Sequence, residues 1–115
     1  PFEIHEMRAK SDGFELTFTH EIDAKTAGDL SSYSMSAYTY IYRSQYGSPV
    51  VDKLTPKVIG AEVTGPKTVR VTVDKLTKGH VHELQAKGVR SLDGKPILHP
   101  IGYYTLNEIP PAEVN

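Results

Sequence analysis

The feature that most constrains the fold is an alternation of apolar and polar residues with a period of two. Apolar residues occupy every second position of segments 14–18 and 69–73, with Glu, Thr or Arg between them. Because successive side chains of a β-strand point to opposite faces, this period predicts strands with one buried face. Five further apolar stretches bring the prediction to about seven strands, at 4–9, 33–35, 58–63, 84–86 and 103–106.

Turn-forming residues separate these stretches. Ser11-Asp12-Gly13 and Asp93-Gly94 contain the Asp-Gly pair, which tolerates a positive φ, and Gly65-Pro66-Lys67 joins two predicted strands. One segment, 23–30, suits a helix, with Asp23 as its cap and a length of a turn or two. Strands at this spacing predict an antiparallel sandwich.

Composition excludes several classes of function. The chain has 115 residues, which suits one domain, and 13 Lys and Arg against 14 Asp and Glu give a net charge of −1. This balance does not suit binding to nucleic acid or to an anionic membrane. No apolar run approaches the ~20 residues of a membrane span, so membrane insertion is not expected. The chain contains no cysteine, which excludes disulfides, thiolate nucleophiles and cysteine metal sites.

Two long segments carry a family resemblance. In segment 16–27 a Phe-bearing strand runs into a short turn with Asp and Thr at Asp23 and Thr26, and Ser32-Tyr33-Ser34-Met35 begins the next strand. Segment 68–94 contains two late strands followed by an Asp-Gly turn. Both segments resemble bacterial Ig-like domains of the S-layer type. The resemblance implies an all-β, Ig-like or fibronectin type III-like antiparallel sandwich with one short helical turn.

A second set of motifs is similar to the C-terminal module of large secreted bacterial proteins that carry sugar-dehydrogenase-like propeller and c-type haem domains. The set comprises Tyr46-Gly47-Ser48-Pro49, Gly88-Val89-Arg90-Ser91, His99-Pro100 and Tyr103-Tyr104-Thr105-Leu106-Asn107. The likeness implies an accessory module whose partners are neighbouring domains of the same polypeptide. It also implies a parent protein that is secreted, periplasmic or in the cell envelope. It implies no cofactor in this module, since no Cys-x-x-Cys-His is present to hold haem.

The chain begins with Pro1 rather than Met, so we expect it to be a piece of a longer protein. We expect the sandwich to cover residues 1–109. Pro110 and Pro111 disfavour a continued strand, so residues 110–115 are predicted to form a C-terminal tail.

Two histidines are candidates for a structural or a metal-binding role. His82 stands where many sandwich domains have a tyrosine that bonds back to upstream backbone, and it shares a strand face with Leu84 and Ala86. It should therefore point inward, where its imidazole could donate to an upstream carbonyl; whether the bond of that tyrosine is preserved stays open. His80 and His82 would share one strand face, but no third ligand is evident. We expect no metal site, with His80 solvated.

The tyrosines are the strongest candidates for a binding surface. Tyr38, Tyr40 and Tyr42 recur with a period of two, and Tyr46 and Pro49 follow closely. In a strand these three rings would form a ladder on one face. Three interpretations remain open: the rings cover the edge of the sandwich, dock a neighbouring domain, or stack on a polysaccharide. We take docking as the functional hypothesis and carbohydrate binding as its alternative, and the absence of tryptophan weighs against the latter.

No motif of catalysis is present. The sequence has no Gly-x-Ser-x-Gly elbow, no phosphate-binding loop and no His-Glu-x-x-His helix. The serines at 11, 48 and 91 lie in turn-forming contexts, and the glutamates at 3, 6, 15 and 21 suit exposed strand faces. The chain is therefore predicted not to be an enzyme.

Overall fold

The computed structural model describes residues 1–40 and 50–112 and shows an all-β sandwich, as predicted. Its only described helical pieces are α1 (Ala24–Ala27) and a 3₁₀ turn (Leu30–Ser32). None of the described helices is long and apolar enough to span a bilayer. The described strands are β1 (Ile4–Lys10), β2 (Gly13–Phe18), β3 (Ser34–Tyr40), β4 (Val50–Leu54), β5 (Val58–Gly65), β6 (Thr68–Val73), β7 (His80–Gln85) and β8 (Ile101–Leu106).

The strands form two antiparallel sheets with an immunoglobulin-type order. The first sheet runs β1-β2-β6-β5 and the second runs β4-β3-β7-β8. In immunoglobulin lettering, β1, β2, β6 and β5 correspond to strands A, B, E and D of one sheet. β3, β7 and β8 correspond to strands C, F and G of the other sheet, with one added strand beside C. That added strand is β4, which the apolar pattern of the sequence does not predict. Its sequence Val-Val-Asp-Lys-Leu does not alternate, so only its pairing with β3, from Ala37 with Leu54 to Tyr40 with Val50, makes it a strand.

The core lies between the sheets and is built from the alternating positions. Phe14, Leu16 and Phe18 of β2 are at most 1% exposed. The valines of β6 and the inward-facing apolar residues of β3, β7 and β8 complete the same buried layer. Burial of each such side chain stabilises the fold by about 1.5–3 kcal/mol, so the core supplies most of the favourable free energy.

The predicted turns join the expected strands, but one glycine has a different role. The turn at 11–12 joins β1 to β2, Pro66 lies in the hairpin between β5 and β6, and Gly94 has a φ of 85°. Gly13 does not take a positive φ, although its Asp-Gly pair would tolerate one. It is the first residue of β2, and a Cβ there would overlap the backbone of Val71.

The predicted helical segment is divided into two short pieces. The Asp23 carboxylate accepts a hydrogen bond from the Lys25 amide at 3.3 Å and caps α1, as predicted. The Asp29 carboxylate accepts one from the Ser31 amide at 3.0 Å and caps the 3₁₀ turn. Two capping residues six positions apart therefore replace one continuous helix.

Candidate docking surface

The outer face of the first sheet carries charges that compensate one another. Arg8, Glu15, Arg70 and Glu62 are directly paired in register across its four strands, so the sign of the charge alternates along the row. Arg70 also donates to the Asp12 carboxylate at 2.9 Å. Opposite charges on neighbouring strands attract each other, so the charges of this row are balanced within the row.

The outer face of the second sheet is less polar and carries Tyr38 and Tyr103. Tyr103 is 60% exposed and Ile101 is 37% exposed, although both belong to a regular strand. Gly102, Tyr104 and Leu106 alternate with them toward the core. We call the central residues of this outer face the tyrosine face: they are Tyr38, Val81, Glu83, Gln85, Ile101 and Tyr103.

A hydrogen-bonded carboxylate lies at the centre of the tyrosine face. The Tyr38 hydroxyl donates to Oε1 of Glu83, and the Gln85 amide donates to Oε2 of Glu83, each at 3.3 Å. Both donors are neutral. Within residues 1–40 and 50–112, no basic side chain pairs with Glu83. Tyr103 is its direct partner in the register of β7 and β8.

The structure describes only part of the predicted tyrosine cluster. Tyr38 lies in β3 and pairs with Val81, and its ring is 8% exposed. Tyr40 belongs to the same strand, and its side chain lies outside the described residues, as do residues Tyr42, Tyr46 and Pro49. The docking role of the cluster therefore stays a prediction.

Tyr103 is an exposed aromatic that the sequence analysis did not single out. The stretch 103–106 was predicted as a strand, yet no face was assigned to its residues. The signal was present: Ile101, Tyr103 and Thr105 alternate with Gly102, Tyr104 and Leu106. Which set faces the core follows from the packing of Tyr104 on Phe14, with ring centroids 5.6 Å apart.

His82 is fully buried and hydrogen-bonded to backbone on both ring nitrogens. Nδ1 lies 3.2 Å from the carbonyl oxygen of His80, to which it donates, and Nε2 accepts from the Thr77 amide at 3.4 Å. The inward position and the bond to an upstream carbonyl agree with the prediction. His80 is 8% exposed, so the expectation that it is solvated was wrong. It follows His82 and Leu84 onto the buried face because the period of the strand is two.

The described residues hold no cluster of three or more potential metal ligands. His82 already uses Nε2 to accept the Thr77 amide. A metal on that nitrogen would have to displace a backbone donor, so the pair His80 and His82 does not fit a metal ion as it stands.

Stability should fall in acid because of His82. Burial lowers the pKa of His82 below its usual 6.5, and the charge of His80 adds to this. The unfolded chain then binds a proton at a higher pH than the folded chain does. The stability that neutral His82 contributes is therefore fully present above pH 6.5 and is lost as the pH falls through the lowered pKa. We expect urea denaturation to show a stability that declines below pH 6.5, with a slope of at most about 1.4 kcal/mol per pH unit from this residue.

The matched comparison is His82→Gln against His5→Gln, since His5 is exposed. The first variant should flatten the profile between pH 7 and 5, while the second should leave its shape unchanged. Equal profiles for the protein and His82→Gln would contradict the role of His82.

The end of the sandwich opposite to His82 has a small cavity. It measures about 130 Å³, and Phe2, His20, Ser91, Asp93 and Lys95 are among its lining residues. The Ser91 hydroxyl donates to the Asp93 carboxylate and accepts from the Lys95 amide at 2.9 Å. Its hydrogen bonds thus organise the turn, as predicted for this serine.

Comparison with solved structures places the fold. A structure of the N-terminal part of the bacterial S-layer protein SbsC matches with a TM-score of 0.69 and 19% identity, over 92% of this chain and 23% of that chain. Two further structures, of the S-layer protein rSbsC and of SbsC domains 1-6, each match with a TM-score of 0.65 and 24% identity.

This chain shares the fold of S-layer protein domains. In the second and third structures the match covers 92% of this chain and 14% of the other, so the chain spans less than a quarter of each of these proteins. No known protein-family model matches the chain, and comparison with characterised proteins finds no sequence relative.

Proposed function

We propose that this chain is a non-catalytic Ig-like accessory module of a larger exported bacterial protein. In this proposal the module docks a neighbouring domain of the same polypeptide through its tyrosine face. The single observation that carries it is the contrast between the two outer faces. One has a row of alternating charges, whereas the other exposes Tyr103 and Ile101 beside a carboxylate that has no basic partner among the described residues. Exposed aromatic area on a sheet face is typical of interaction surfaces.

The path of the chain supports a linking role. β1 starts beside Phe18 at one end of the sandwich. β8 finishes at Leu106, at the other end, where Phe14 packs on His82 and Tyr104. A module with this path can join two neighbours in a line. The S-layer proteins that share its fold are bacterial and several times longer than this chain.

The cellular context belongs to the proposal as well. The solved structures that share this fold are S-layer proteins. They give no support for the propeller and haem domains that the second sequence resemblance implies for the parent. We propose that the parent protein is exported, on the basis of both the S-layer-type resemblance and the resemblance to a module of secreted proteins. Carbohydrate binding remains the second candidate, favoured by the ring of Tyr103 beside the hydrogen-bonded carboxylate of Glu83.

Thiol labelling tests the docking surface directly. The chain has no cysteine, so Tyr103→Cys introduces a single reactive group into it. In the full-length polypeptide, maleimide labelling at position 103 should be about tenfold slower than in the isolated chain, because a docked domain excludes the reagent. Peptide-level mass spectrometry measures both rates.

The matched control is Glu62→Cys on the outer face of the first sheet, which is also exposed. Its labelling rate should be the same in the two contexts. Equal rates in both contexts at position 103 would refute docking through the tyrosine face.

A further inference from the structure

The pairing of Glu83 with Tyr103 creates a small site of defined chemistry. These residues are direct partners in the register of β7 and β8, and they point to the outer face. Directly paired residues have Cβ atoms about 4.5–5.5 Å apart. A carboxylate and the exposed face of an aromatic ring are thus close enough to contact the same group.

The carboxylate of Glu83 has acceptor capacity that its described neighbours do not use. Each carboxylate oxygen accepts one hydrogen bond, from the Tyr38 hydroxyl or the Gln85 amide. An ionised carboxylate offers about four acceptor positions, so the described residues leave about half of them available. The two neutral donors hold the group in place without balancing its charge, and Glu83 is half-buried.

The outer face of the first sheet offers a comparison, because a glutamate there has its charge balanced by residues of the same sheet. Glu15 lies between Arg8 and Arg70 in the register, with one basic residue on each side. Glu83 lies between Ser36 and Tyr103 in the same kind of row. The second sheet therefore presents a negative charge that its own described residues do not balance.

We propose that Tyr103 and Glu83 form a binding site for a basic side chain, arginine before lysine, from the neighbouring domain. The inference rests on the proposed docking function and names the chemistry of the partner. A guanidinium group stacks on the ring by a cation–π interaction while its N–H groups donate to the carboxylate. Arginine and tyrosine are also the residues that most often dominate the binding energy of interfaces.

A sugar is the competing ligand, and it satisfies the site less completely. Its hydroxyl groups could donate to Glu83 and its apolar face could cover Tyr103, but it would bring no positive charge to a partly desolvated carboxylate. Charge complementarity thus favours the basic side chain.

NMR titration of the 115-residue chain tests the proposal with three probes. The probes are acetyl-Gly-Arg-Gly-amide, the neutral acetyl-Gly-Gln-Gly-amide and cellobiose. We expect the arginine peptide to shift the resonances of Glu83 and Tyr103 with a Kd on the order of 10 mM, as suits a single side chain. The glutamine peptide should produce at most a fifth of that shift, and 0.5 M NaCl should weaken binding severalfold.

Two isosteric variants locate the interaction. Glu83→Gln should raise the Kd of the arginine peptide at least about fivefold, because the charge is lost and the shape is kept. Glu62→Gln, the matched control on the first sheet, should leave it unchanged, since Glu62 pairs with Arg70. A Glu83→Gln variant that binds the peptide as the protein does would overturn the proposal.

The outcomes also separate this inference from the docking function. Cellobiose binding at Tyr103 without arginine binding would overturn it in favour of a carbohydrate site. Absence of any shift, together with slow labelling at position 103 in the full-length polypeptide, would overturn the basic partner and leave the docking surface in place.

Discussion

Replacing Phe14 with alanine is expected to lower the free energy of unfolding by about 3–5 kcal/mol. Phe14 is 0% exposed and bridges the two sheets. Its ring centroid lies 5.5 Å from that of His82 and 5.6 Å from that of Tyr104, both on the second sheet. Truncation removes these contacts and leaves a cavity that a sandwich of paired strands can close only in part. Urea denaturation monitored by tyrosine fluorescence measures the change.

The control for this substitution is Leu92→Ala. Leu92 is 65% exposed, so its removal should change the free energy of unfolding by less than about 0.5 kcal/mol. If Phe14→Ala cost less than about 1.5 kcal/mol, the core would not hold the sheets together in the way its burial indicates.

The position of Phe14 could be predicted from the sequence alone, and so could most of the core. A period of two assigns each strand residue to a face, and the face with Phe and Val must be inside because burying those side chains is favourable. The same argument placed His82 inside with Leu84. It failed for β4, because a strand without alternation is recognisable only by its pairing with β3.

The tyrosine face was harder to predict because it depends on register. Period two indicates that Tyr38 and its neighbouring tyrosines would share one face if they lay in a strand, but the bond of Tyr38 to Glu83 links residues 45 positions apart in the sequence. That contact exists only because Tyr38 pairs with Val81, and pairing between distant strands is a tertiary property. The exposure of Tyr103 follows in the same way from the packing of its neighbour Tyr104 in the core.

Gly13 shows a third limit of prediction from the sequence, because the two Asp-Gly dipeptides of the chain have different structural roles. Asp12-Gly13 and Asp93-Gly94 look alike in the sequence. Gly94 takes a φ of 85° in open space, where the lack of a side chain relieves backbone strain. Gly13 is required for a different reason, the close approach of β6, and no local pattern reports that approach.

Gly13→Ala is therefore expected to be destabilising by about 3 kcal/mol or more. The added Cβ would overlap the carbonyl oxygen of Val71 and lie 2.9 Å from the Cα of Thr72. These are backbone atoms of a central strand, so they cannot move aside without breaking the pairing of β2 with β6. Thermal and urea unfolding of the variant measure the loss.

Gly60→Ala is the matched control in the same sheet. Among the described residues, a Cβ at position 60 would meet only the side chain of Thr72, at 3.2 Å, and that side chain can adjust. Alanine also orders a strand better than glycine, so the net change should stay within about 1 kcal/mol of zero. Equal effects at positions 13 and 60 would mean that β2 and β6 can separate locally at little cost. The close approach would then not explain why glycine stands at position 13.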